Sequence, residues 1–214
     1  MTIAKIITCK VAKDQKAHFC HSQQGWKSAA TCDGFMGQFG GWVQDEENVN
    51  HSELTAVIVG LWRTEQDLAL FMATVHDDII EQNQQVSTYL NCSVNRLSHV
   101  MPIHHDQDKF PNTGILRIAY CDDVTDKQAF MANQQHIWNP GMIRQTGFIG
   151  GDVWQNSTQH VVLSYWSSAL AHQQYQQGDF VSLRQQAKPL SYIGHISGFT
   201  VLLEPLWRIS EPQS

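Results

Sequence analysis

Residues 3–26 read IAKIITCKVAKDQKAHFCHSQQGW, and residues 115–138 read ILRIAYCDDVTDKQAFMANQQHIW. Ile3, Ile6, Cys9, Asp14, Ala17, Gln23 and Trp26 meet Ile115, Ile118, Cys121, Asp126, Ala129, Gln135 and Trp138 at one constant offset. Working outward, Gly34-Phe35-x-Gly37 meets Gly147-Phe148-x-Gly150 after a one-residue shift, and Trp42 meets Trp154. Leu61-Trp62 meets Tyr165-Trp166 at a shorter offset, because the first copy carries a longer loop between its middle strands. A repeat of about 100 residues has the size of a small domain and is too long for a solenoid unit. The chain therefore reads as two copies of one fold.

Each copy gives the same order of elements. Residues 3–11 and 115–121 are β-branched and apolar, which predicts strands. Residues 13–26 and 127–138 follow as helices, with Asp14 and Asp126 near their starts, where a carboxylate suits the unpaired amides. The Gly34 and Gly147 regions turn into second strands that end near Trp42 and Trp154. Third strands cover residues 54–62 and 160–166. Helical stretches follow at 65–76 and 169–177, and polar runs at 77–85 and 180–188 continue them. Residues 92–101 and 195–203 close each copy as fourth strands. The order is β-α-β-β-α-β twice, an antiparallel sheet with helices on one face. Its other face needs covering, and two copies on one chain can supply that, sheet against sheet. The expected domains are 1–103 and 114–210, joined by a polar linker at 104–113, with Pro102 and Pro111 as its breaks.

Composition narrows the function. The chain has 214 residues, 16% charged, with a formal net charge of −6. No basic patch marks a nucleic-acid surface. No apolar run approaches the roughly 18 residues of a membrane span, and residues 2–11 do not read as a secretion signal. The five cysteines show no Cys-x-x-Cys pair and read as reduced, mostly buried thiols of a cytoplasmic protein. No dinucleotide fingerprint, Walker loop or Gly-x-Ser-x-Gly elbow occurs.

The element order, with Gly-Phe-x-Gly leading into strand two and tryptophan ending strand three, resembles the antibiotic-biosynthesis-monooxygenase-like superfamily. The phrases GFMGQFGGW, FMATVHDDI, ILRIAYC and WNPGM are similar to those of the YdbC-like bacterial proteins of unknown function. The resemblance implies an α+β fold in which two ferredoxin-like repeats form one pseudo-dimer like a dimeric α+β barrel. It also implies a ligand cleft between sheet and helices in each copy. The ligand class implied is a small aromatic or hydrophobic molecule, and the activity a cofactor-independent monooxygenase. A non-catalytic binding or structural module is the alternative. Association beyond the intramolecular pseudo-dimer stays open.

The heme-degrading branch of that superfamily places asparagine on the first strand, and tryptophan and histidine on the second helix. Here those positions fall on Thr8 or Cys9 and Tyr120 or Cys121, then on Phe71 and Tyr175, then near Glu81 and Gln185. The pattern is missing in both copies, so no cofactor is expected. Heme remains the alternative, with His76 as its ligand.

His76 follows an apolar helix and precedes Asp77 and Asp78, so it is the candidate catalytic base; a plain helix-end histidine is the simpler alternative. Copy two has Phe180 there. His21, Trp26, Trp62, Phe71, Trp138, Trp166 and Tyr175 are the candidate pocket residues, with core packing as the alternative for the tryptophans. His18 and His21 share a helix face, but no third ligand accompanies them, and no metal site is expected. His99, His104, His105 and Asp106 read as a histidine-rich connector. Lys5 and Arg117 match in the repeat, as ligand anchors or as solvent-face charges. Asn139-Pro140-Gly141-Met142 reads as a turn on a pocket rim, or as a tight turn alone.

Overall fold

The computed structural model describes residues 1–44, 52–105 and 113–210. It divides into two compact units. Unit 1 comprises residues 1–98 and 203–214, and unit 2 comprises residues 99–202.

In unit 1, strand β1 (Ile3–Ala12) lies between β3 (Glu53–Trp62) and β4 (Asn91–His105), antiparallel to both. Strand β2 (Phe35–Val43) pairs with the far edge of β3. Helix α1 (Lys16–Gln24) follows β1, and α2 (Glu65–Thr74) with α3 (His76–Gln82) follows β3. This is the expected β-α-β-β-α-β order. Thr64 caps α2, accepting a hydrogen bond from the Asp67 amide at 3.1 Å. Losing such a cap typically costs about 1 kcal/mol. Thr64→Ala should therefore destabilise unit 1 by about that much in urea denaturation, and a neutral result would contradict the cap. Asp14, expected to serve the first helix in the same way, sits in a short 3-10 turn and makes no capping bond.

Unit 2 repeats the plan. Strand β5 (Ile115–Val124) lies between β7 (Gln159–Trp166) and β8 (Ile193–Leu203), and β6 (Phe148–Gln155) pairs with β7. Helix α4 (Lys127–Asn133) runs into a π-helical turn, Gln134–Trp138, and then into α5 (Asn139–Ile143). Helices α6 (Ala169–Gln177) and α7 (Asp179–Ala187) follow β7. The Asn139–Met142 segment is thus helix and not a turn. Pro140 lies in the first turn of α5.

The Gly-Phe-x-Gly repeat acquires a mechanical meaning. Gly34 and Gly147 have φ of +74° and +86°. A Cβ on Gly34 would strike the Asp67 carboxyl, and one on Gly147 would strike Ala171 and Ser167 at the start of α6. Only glycine lets the strand start so close to the helix. Both copies then show a register shift at the same place, between Phe35 and Gly37 and between Phe148 and Gly150.

Two features depart from the repeat. Strand β4 does not end where copy one ends. Its first half pairs with β1, while residues 99–105 belong to unit 2, where β4 neighbours β6. Residues 106–112 of the expected linker, Asp106 included, lie outside the described residues. Conversely, residues after 202 return to unit 1. The Glu204 amide donates to the Gly40 carbonyl at 2.9 Å, and β9 (Ile209–Ser210) pairs with β2. Trp207, 1% exposed, packs against Phe19 and Trp42 at 5.5 and 5.3 Å between ring centroids. Cysteine pairing also departs from the expectation of reduced thiols. Cys9 and Cys92 are register partners on β1 and β4 and form a disulfide, while Cys20, Cys32 and Cys121 are free. Distance along the chain hides a pairing that strand register creates. Among the described residues no helix is long and apolar enough to cross a membrane.

Candidate functional site

Unit 2 contains a cavity of about 350 Å³. Its floor is the sheet. Arg117, Ala119 and Cys121 alternate along β5 onto one face, and Val162 and Ser164 do the same on β7. Its roof is helical. His172, Tyr175 and Gln176 come from α6, and Phe180 and Arg184 from α7. The π-helical turn supplies Gln134 and Trp138. A π turn inserts a residue into the helical ladder and so rotates the side chains that follow it. Tyr192 and Ile193 close the end of the cavity near β8.

Phe130, Trp138, Tyr175, Phe180 and Tyr192 bring aromatic rings to the walls. Trp166, fully buried beneath the cavity, stacks on Tyr175 at 4.9 Å. Tyr175 meets Phe180 edge-on at 5.7 Å, and Phe180 faces Trp138 at 5.6 Å. Trp166 Nε1 donates to Ser164 Oγ at 3.1 Å, and His172 packs its ring edge against Trp166 at 5.4 Å.

Most polar groups here are occupied or neutral. Arg117 donates to the backbone carbonyls of Ile118 and Phe199. Gln134 Nε2 donates to Asn139 Oδ1 at 2.7 Å. Burial pushes the Cys121 thiol up to about 12, helped by nearby Asp122, so it is protonated at neutral pH and a poor nucleophile. Burial likewise raises the Tyr175 and Tyr192 phenols, so both are protonated hydrogen-bonding groups. Arg184 is an exposed cation at the margin of the cavity. His172 is 5% exposed and is the histidine on the cavity wall.

The same place in unit 1 is nearly full. Its cavity is about 40 Å³, lined by Lys5, Ile7, Gln23, Trp26, Gln38, Trp62, Phe71 and Gln85 among others. The register explains the difference. Ile7 pairs with Ile58 on neighbouring strands of unit 1, as Ala119 pairs with Val162 in unit 2. Isoleucines fill what alanine and valine leave open. Gln38, opposite Gly60, stands where unit 2 has Gly151 opposite Ser164.

The expected site residues separate accordingly. Trp138 and Tyr175 line the large cavity, and Trp166 backs it. Trp26, Trp62 and Phe71 line the small one. His21 is exposed on α1 and lines neither, and His18 is exposed beside it. His76 also lines neither cavity. Its ring lies against Trp26 and Phe71 at 5.4 and 5.7 Å, and its Nδ1 is 2.8 Å from Asp77 Oδ1. Burial, opposed by the Asp77 bond, lowers its pKa, so the ring is neutral at pH 7. His99 Nε2 meets the buried Asp152 at 2.9 Å, and its ring meets Trp154 edge-on, a pair formed across β4 and β6. Lys5, read as an anchor or a solvent-face charge, is only 6% exposed and turns inward. His172, Gln134, Phe130 and Tyr192 were not foreseen as site residues; the i, i+3 spacing of His172 and Tyr175 on one helix face was the available signal.

A family model described as a domain of unknown function, DUF4937, matches residues 3–97, which is copy one. A search of curated protein sequences gives no match. Several solved structures share the fold. A candidate monooxygenase from Fusobacterium nucleatum superposes with a TM-score of 0.73 at 11% identity, covering 100% of this chain and 96% of that one. An anthrone oxidase-like protein gives 0.71 at 13% identity, covering 99% and 94%. A candidate monooxygenase from Lactobacillus acidophilus gives 0.69 at 12% identity, covering 98% and 96%. These matches establish that the chain shares the α+β fold of those proteins, and an α+β fold is what the sequence led us to expect.

Proposed function

We propose that unit 2 binds a small aromatic molecule in its cavity and oxygenates it without a bound cofactor. The observation that carries this reading is the cavity itself. Its volume of about 350 Å³ falls within the roughly 300–1,000 Å³ of small-molecule sites. Its aromatic walls suit a planar ligand, and the fold is shared with candidate monooxygenases. The chemistry fits a substrate that carries an acidic methylene conjugated through its aryl rings to a ketone, as anthrone does. His172 accepts the proton, and the carbanion so formed is delocalised over the rings. Its carbon bonds to O₂, the protonated His172 returns the proton to the peroxide anion to give a hydroperoxide, and loss of water leaves a second carbonyl. The apolar part of the cavity favours this sequence by limiting solvent at the carbanion.

A second reading, a binder without turnover, is favoured by how many polar groups are already engaged or neutral. One experiment separates the two. 2-Naphthol should quench tryptophan fluorescence with a dissociation constant on the order of 10–100 µM, and anthrone should support oxygen uptake. His172→Gln should keep naphthol binding and lower uptake about 10²-fold or more, the usual worth of a general base. Binding without uptake in the unaltered protein supports the second reading. Absence of naphthol binding sinks both.

A further inference from the structure

We propose that the small cavity of unit 1 is a binding site for a small oxyanion of about three heavy atoms, such as formate, held by Lys5, Gln23 and Gln38. This rests on unit 1 alone and is independent of the chemistry proposed for unit 2.

The cavity wall holds three buried donor groups whose partners are weak or missing. The Lys5 ammonium has Met72 Sδ at 3.2 Å as its hydrogen-bond partner, and a thioether accepts only weakly. Gln23 and Gln38 are 1% and 7% exposed, and the Nε2 of each is buried without a partner. The remaining amide, Gln85, uses its oxygen to accept from Trp26 Nε1. Buried donors left unpaired cost free energy, and a buried unpaired charge costs more. One anion with two oxygens satisfies all three donors and the charge together. Aromatic and aliphatic groups, Trp26, Phe35, Trp62 and Ile58, complete the wall. The volume, about 40 Å³, exceeds the roughly 10–15 Å³ that one water needs and excludes any ring. Unit 2 lacks the arrangement, because Gly151 replaces Gln38 and Arg117 replaces Lys5.

The charged neighbours set the pH response. On β4, Arg96 opposes the Lys5 charge; on α3, Asp77 supports it, and neutral His76 stands beside that carboxylate. Burial is the largest influence, and together they bring the Lys5 amine down to about 8. Lys5 is therefore charged at pH 7 and loses its charge as pH rises through 8. Anion binding should fade over the same range.

The test uses the full chain and ¹³C-formate, followed by NMR line broadening, with formamide as a neutral ligand of the same size. Formate is expected to bind at least tenfold tighter than formamide at pH 7. That preference should vanish at pH 9.5 and in Lys5→Met. Gln38→Met, which keeps the charge and removes one donor, should weaken formate several-fold; it carries the test with the pH profile if Lys5→Met does not fold. Equal binding of formate and formamide, formate binding indifferent to both substitutions, or no binding at 100 mM would each overturn the proposal, the last by leaving water as the occupant.

Discussion

Replacing Ala119 with tryptophan should raise the dissociation constant for 2-naphthol at least 100-fold while the chain stays folded. Ala119 lies in the middle of the cavity floor, one pleat from Arg117 on one side and Cys121 on the other. An indole there enters the space that the ligand needs. The protein has already made a milder version of this change, since Ile7 occupies the matching position in unit 1, where the cavity is about 40 Å³ rather than 350 Å³. The backbone of β5 therefore tolerates a larger side chain at this point of the pleat. Fluorescence titration measures the effect, and circular dichroism checks the fold. Unchanged affinity in a folded variant would place the ligand elsewhere.

Removing the indole of Trp166 should cost unit 2 about 3–5 kcal/mol, the range for deleting a large buried aromatic side chain. Trp166 is fully buried, stacked on Tyr175 and met edge-on by Phe148 at 5.2 Å and His172 at 5.4 Å. It ends β7, where Phe148 and Ile115 are its neighbours on the flanking strands. Trp166→Ala leaves a void beneath the cavity and deprives Ser164 Oγ of its indole donor. Tyr175 then loses the surface that fixes its ring, so naphthol affinity should fall as well. Urea denaturation gives the stability term; a loss below about 1 kcal/mol would contradict the role of this stack as the core of unit 2. The matching Trp62, tilted against Phe71 at 4.6 Å, supports a smaller and more tightly filled cluster.

The scaffold was legible because it is written in periodic and repeated residues. Alternation gave the strands, the paired tryptophans gave the ends of β3 and β7, and Gly-Phe-x-Gly gave the turn into β2 and β6. What escaped depends on differences that look conservative in one dimension. Ile7 against Ala119 is an ordinary aliphatic exchange, yet it helps decide which copy keeps a cavity. The Asn139-Pro140-Gly141 run carries turn residues, but the π-helical turn before it and the packing of Gly141 against Leu183 hold it as helix. Lys5 and Arg117 match as cations, but one is buried with a sulfur neighbour and the other is tied to carbonyls. Cys92 meets Cys9 only through strand register. The path of β4, from β1 in unit 1 to β6 in unit 2, left no mark on the repeat at all.

That path has a consequence for the order in which the protein is made. Unit 2 is one continuous stretch, residues 99–202, and all of it has emerged before unit 1 receives its last segment. Until residues 203–210 arrive, the outer edge of β2 lacks β9, and Phe19 and Trp42 lack Trp207. The half that is synthesised first is therefore the half that is completed last. During translation its open edge and bare aromatic surface are the natural points of chaperone contact or of misassociation between nascent chains.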